Sequence, residues 1–205
     1  MMPTNRPIED LYPKVLMYAP GCPEPLAVDH LRDAAITLCE RTRCWRDVDE
    51  FETDGESRVV IPAIVPGTAL YEIEKAWFEE QELEPTGYAE DMLFHDNGYP
   101  RRFSQQLPDT LQLIPAGSPG TVRLSMWLKP SQDAEELPKF FFEQFAQALA
   151  DGALSTLLLI PNQPFTNPQM AAVFNSRFTA MLDRNFAYNM RGQQRARKRT
   201  KASFF

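Results

Sequence analysis

Residues 121–130 (TVRLSMWLKP) alternate along the chain: Val122, Leu124, Met126 and Leu128 are apolar, with Thr121, Arg123, Ser125, Trp127 and Lys129 between them. A period of two turns one set towards a core and the other towards solvent or a neighbour. Residues 98–103 and 111–116 are two more β-prone runs, set off by turn residues at Leu107-Pro108-Asp109 and at Gly117-Ser118-Pro119-Gly120. Together they predict an antiparallel meander closing a small sheet. Asn97-Gly98 adds a hairpin turn, because this pair readily takes positive φ. Val59-Val60-Ile61 and Ile64-Val65 are short strand candidates interrupted by Pro62 and Pro66. Residues 69–83 fit a helix through Leu70, Ile73, Trp77 and Phe78, and a strand through Ala69, Tyr71, Ile73 and Trp77. The flanking prolines and the strands downstream favour the strand.

The pattern changes to a helical one on both sides of this region. Ala27, Leu31, Ala34, Ala35, Leu38 and Thr42 recur at helical spacing, predicting a helix from about Pro25 to Trp45 with Arg32, Asp33, Glu40 and Arg43 on its other face. Leu137, Phe141, Phe145 and Leu149 predict a second helix over residues 133–150. Asp151-Gly152 is a point of break or bend before an apolar run over residues 153–160. Asn167-Pro168 opens a last helix with a cap and a first-turn proline. Its stripe is Met170, Val173, Phe174, Phe178, Met181 and Leu182, and it ends near Asn189-Met190.

The expected fold is α+β, a helical bundle with an inserted antiparallel β-sheet domain and extended terminal arms. Its divisions are an extended amino-terminal arm over residues 1–23, a first part of the bundle over 24–56, the β region over 57–131, the second part of the bundle over 132–190 and a basic arm over 191–205. The first arm is punctuated by five prolines, and its Ile8, Leu11, Tyr12, Val15, Leu16 and Tyr18 could dock on its own domain or on a partner. Residues 46–56 (RDVDEFETDGE) read as an acidic, solvated loop rather than a calcium loop, because the calcium ligand pattern and closing glutamate are absent.

Charge sharpens this picture. Of 21 basic and 28 acidic residues, seven basic and no acidic ones follow Asp183, leaving 14 against 28, a net charge of −14, before that point. Such a body repels nucleic acid, and the tail seeks an anionic partner. The tail is open to three readings: a solvated charge run, an arm docking on a protein, or a binder of DNA phosphates. As a docking arm it would use Arg191, Arg195, Arg197, Lys198, Arg199, Phe204 and Phe205. Glu72, Glu74, Glu79, Glu80, Glu82 and Glu84 form an acid-rich stretch that is either a solvated face or, in a ring, the lining of a channel that lets DNA pass without adhering.

Candidate chemistry is sparse. The two histidines, His30 and His95, lack a second histidine at ligand spacing, and no nucleophile elbow, phosphate-binding loop or dinucleotide fingerprint is present. No enzyme activity, metal or cofactor is expected. Cys22, Cys39 and Cys44 contain no CxxC pair and read as reduced thiols. No run of about 18 apolar residues suggests a membrane span, and the first residues lack a signal-peptide apolar core.

The order of parts resembles the head–tail connector (adaptor) proteins of tailed bacteriophages. It runs from Leu31-Arg32-Asp33-Ala34-Ala35 with Cys39-Glu40-Arg41-Thr42 and Trp45, through Gly98-Tyr99-Pro100, to residues 111–116 and Lys129-Pro130. It continues with Leu137-Pro138, Asp151-Gly152-Ala153-Leu154 and the helix after Asn167-Pro168. The similarity spans residues 8–190. It implies a structural protein of the virion neck, assembled in the host cytoplasm as a ring, usually of twelve copies, beneath the portal. Its partners would be the portal, the tail or next connector, and its own copies, with DNA passing through unbound. The alternative is a nucleic-acid-binding accessory protein that uses the basic tail.

Overall fold

In the computed structural model, which describes residues 4–55, 59–60, 62, 64–87 and 98–189, the amino-terminal segment is only partly extended. Asn5–Pro7 forms strand β1, Ile8–Leu11 a 3-10 turn and Tyr12–Leu16 a short helix α1. An arm extended throughout residues 1–23 is therefore not what the described part adopts. Pro13 sits in the first turn of α1, where its missing N–H has no helical partner to lose. Ile8, Leu11, Val15, Ala19 and Cys22 are buried, so the segment docks on the chain's own fold.

Helix α2, Glu24–Thr42, buries every residue of the expected stripe from Ala27 to Thr42. After the β region come strand β10 (Glu136–Pro138) and the helices α3 (Lys139–Gln144), α4 (Ala146–Leu157) and α5 (Pro168–Asn189). The single helix expected over residues 133–150 is thus a strand and two helices. β10 pairs antiparallel with β1, and helix begins only past Pro138. Leu137, Phe141, Phe145 and Leu149 are nevertheless all buried. Asp151 and Gly152, expected as a bend, continue α4 and are buried with Ala153 and Leu154. α5 starts as expected, with the Asn167 side chain accepting from the Met170 N–H at 3.1 Å. Its buried line is Ala171, Phe174, Phe178 and Leu182, while Val173 is exposed.

The chain divides between Cys44 and Trp45, and again between Ser131 and Gln132. Residues before and after these points form the helical unit, and Trp45–Ser131 forms the sheet unit. The acidic segment expected as a loop at the end of the bundle is strand β2, Arg46–Thr53, and belongs to the sheet unit. Further strands are β3 (Val59–Val60), β4 (Thr68–Phe78), β5 (Gln81–Glu82), β6 (Glu84–Pro85), β7 (Arg102–Ser104), β8 (Leu111–Ile114) and β9 (Gly120–Pro130). They make two four-stranded sheets, β2-β9-β4-β5 and β3-β8-β7-β6. The expected meander is therefore split: β7 and β8 pair antiparallel in the second sheet, while β9 lies in the first. One pairing, β6 with β7, is parallel. Ile64 and Val65 are not in a strand, and the turn at Asn97 lies outside the described residues.

The sheet unit's core comes from the apolar faces of both sheets. β9 contributes Val122, Leu124, Met126 and Leu128, opposite Leu70, Ile73, Ala76 and Phe78 of β4. The second sheet contributes Phe103, Leu111, Leu113 and Ile114.

Candidate functional site: the open face of the first sheet

Register decides which side chains share the face of β9 that points away from this core. Arg46 lies opposite Trp127, Val48 opposite Ser125 and Glu50 opposite Arg123 on the β2 side. On the β4 side Glu72 meets Trp127, Lys75 meets Ser125 and Trp77 meets Arg123. Strand β4 slips register between Leu70 and Glu72 and again between Ile73 and Lys75. Each slip inserts one residue, Tyr71 and then Glu74, and brings the next apolar residue back to the core side. For this reason an alternation through Ala69, Tyr71, Ile73 and Trp77, broken only at Lys75, does not describe the strand.

The face is built around one closed polar triangle. Arg46 Nη2 is 2.8 Å from the Glu74 carboxylate, Arg46 Nε donates to Ser125 Oγ at 3.0 Å, and Ser125 Oγ donates to Glu74 Oε2 at 2.7 Å. Ser125 is buried, so its hydroxyl is satisfied here both as donor and as acceptor. Cations cover the aromatic rings around this triangle. The Arg46 guanidinium is 5.9 Å from the Trp127 ring and that of Arg123 is 5.1 Å from the Trp77 ring. Lys75 Nζ is 5.8 Å from the same Trp77 ring and 2.6 Å from Glu82. Lys129 Nζ is 5.8 Å from the Tyr71 ring. At exposed sites each cation–π contact contributes about 0.5–1 kcal/mol, and each ion pair about 0–1. Val48 stands 54% exposed at the β2 edge of this face. Trp127 and Ser125 are themselves buried, so what this side offers to another macromolecule is the half-buried rings of Tyr71 and Trp77, the exposed Arg123 and the open Val48.

The six glutamates of the acid-rich stretch do not form one unbroken acidic face. Glu72 and Glu74 are on β4, Glu79 and Glu80 form the turn after it, Glu82 is on β5 and Glu84 on β6 of the other sheet. Glu74 and Glu82 are paired with Arg46 and Lys75, while Glu79 accepts the Thr121 N–H at 2.9 Å. Glu79, Glu80 and Glu84 are exposed. The proposed docking residues Arg191, Arg195, Arg197, Lys198, Arg199, Phe204 and Phe205 lie outside the described residues.

The helical unit has a groove of about 340 Å³ between α2, α4 and α5, lined by His30, Asp33, Arg41, Ser155, Asn175 and Phe178 among others. His30 Nδ1 is 2.7 Å from Thr156 Oγ1. Burial pushes the imidazole below its ordinary value, and Asp33 and Asp29 pull it back up. Arg41 at the groove's edge is 3.5 Å from Asp183. Among the described residues, no group of three or more His, Cys, Asp and Glu side chains is placed to hold a metal ion. No described helix is long and apolar enough to cross a membrane.

The sequence reading passed over Arg46, Tyr71, Trp77 and Trp127 as a set. Trp127 stood among the off-core positions of β9, and Tyr71 and Trp77 on the strand read over residues 69–83. Arg46 lay in a stretch read as loop. No protein-family model matches the chain, and no curated protein matches it.

Proposed function

We propose that this chain is a structural protein of the virion neck, a head–tail adaptor that forms a ring under the portal and joins the DNA-filled head to the tail. The observation that carries this reading is the organisation of the chain. A helical unit is built from two separated segments, with one β excursion, Trp45–Ser131, inserted between them. That is the order of parts in the connector proteins the sequence resembles. The paired charges and rings on the first sheet support a role in contact.

In this reading the portal, a tail or further connector protein and neighbouring copies, twelve in all, are the partners. DNA passes through a lumen kept negative by some of Glu72, Glu74, Glu79, Glu80, Glu82 and Glu84. The tail docks on the portal, with Arg191, Arg195, Arg197, Lys198 and Arg199 meeting acidic groups while Phe204 and Phe205 fill apolar pockets. Exposed ion pairs bring about 0–1 kcal/mol each, and burying a phenylalanine roughly 1.5–3 kcal/mol before ordering costs. The aromatics therefore dominate affinity, and the charges guide encounter and register.

A portal-binding assay separates this from the second reading, a nucleic-acid-binding tail, which rests on the seven basic and no acidic residues after Asp183. Deleting residues 203–205 abolishes portal attachment in the adaptor reading even with the basic run intact. A DNA-binding tail gives the reverse: the deletion is nearly silent, and neutralising the basic run removes binding together with its salt dependence.

A further inference from the structure

Helix α2 stops short of Trp45, the end expected for it. Thr42 is its last residue, and Arg43 follows in the left-handed region at φ 49° and ψ 49°, its N–H donating to the Cys39 carbonyl at 2.8 Å. A left-handed residue here turns the chain back over the final helical turn, and the next residue then packs against the one five positions earlier. Where helices end this way, that contact frequently joins two apolar side chains. In this chain the two positions are Cys39 and Cys44, and their sulfurs are 3.9 Å apart. Cys39 is buried, whereas Cys44 is half-buried. Of the two, Cys44 is the less buried residue.

We propose that Cys39 and Cys44 are a redox pair that closes to an intrachain disulfide when the protein meets a disulfide oxidant. The bond would staple the last turn of α2 to the residue at which the chain leaves the helical unit, since Trp45 begins the sheet unit. Closing it brings the sulfurs from 3.9 Å to about 2.05 Å. The Cys44 thiolate attacks one sulfur of the oxidant, expels a thiolate and forms a mixed disulfide. Cys39 then loses its proton and attacks the Cys44 sulfur, expelling the second thiolate. The protein gives up two electrons and two protons, and the oxidant leaves as two thiols.

Cys44 is fitted to the first step. A hydrogen bond from Cys39 holds its thiol below the ordinary value, against the opposing effect of burial, and one from Thr42 adds to this. Cys22 is a poor competitor, being buried with its thiol pushed up by that burial. In a reducing cytosol the pair stays open, and outside a cell it closes. This inference does not depend on the adaptor reading.

The test is to incubate the full chain with oxidised glutathione, then count thiols under denaturing conditions and map the linked peptides. The expected titre falls from the three cysteines of the sequence to one, with a mass loss of about 2 Da and a peptide joining residues 39 and 44. Cys39→Ser should stop at a mixed disulfide on Cys44, and Cys44→Ser should react far more slowly. A wild-type chain that keeps all three thiols, halts at glutathionylated Cys44 or forms only bonds between chains would overturn the proposal. The wild-type measurement decides even if a variant fails to fold.

Discussion

Gly152 of α4 and Ala34 of α2 approach so closely that a β-carbon on Gly152 would stand 2.8 Å from the Ala34 methyl and 3.0 Å from Phe178 Cζ on α5. The three main helices of the helical unit meet at this point, and only the missing side chain lets them do so.

Gly152→Ala is therefore expected to destabilise the protein, although alanine is the better helix former by about 1 kcal/mol. Overpacking a rigid contact costs about 1–3 kcal/mol, which leaves a net loss of roughly 1 kcal/mol. Ala34→Gly should relieve the clash, so a double-mutant cycle by urea denaturation should show favourable coupling of about 1 kcal/mol. Purely additive effects would mean that the contact is not as close as described.

His30 makes stability depend on pH in a defined direction. Its folded pKa is lowered chiefly by burial, so the unfolded chain takes up the proton first as pH falls. The contribution is complete above the ordinary value of 6.5 and is lost as pH falls through the folded value. Across a melting series from pH 8 to pH 5, His30→Gln should lose less stability than wild type. Equal losses would show that the imidazole is not desolvated in the groove.

The Arg46–Glu74 pair is half-exposed on both sides, with side-chain exposures of 51% and 31%. Its coupling, measured with Arg46→Ala, Glu74→Ala and the double variant, should fall between about 0.3 and 1 kcal/mol. Raising the salt to about 1 M should shrink it, because the Debye length there is only about 3 Å. Ser125 takes part in the same triangle, so Ser125→Ala should lower the coupling as well. A coupling indifferent to both changes would mean that the triangle does not form.

Where one face alone met the core, the sequence was legible. The α2 stripe and the apolar positions of β9 are buried as read, although Ser125 and Trp127 between those positions are buried as well, and the Asn167 cap is in place. Strand β2 was not legible, because an edge strand can carry charge on both faces. Its Asp47 and Asp49 lie opposite Met126 and Leu124 on the core side, and Asp49 Oδ2 is buried with no hydrogen-bond partner among the described residues. In β4 the two bulges defeated a strict period of two. α1 is only five residues long, too short to show a helical stripe. The Arg46–Glu74–Ser125 triangle joins residues brought together only by strand pairing. Cys44 reaches Cys39 only because α2 ends at Thr42, with the last residue of its stripe, and does not run on to Trp45 as expected.

The adaptor reading is tested most directly by imaging the assembled particle at a resolution that places this chain. The account predicts a closed ring of copies on the portal axis, with a predominantly negative lumen to which some of Glu72, Glu74, Glu79, Glu80, Glu82 and Glu84 contribute. One or two copies away from that axis, or a ring with a basic lumen and all six glutamates on its outer wall, would contradict it.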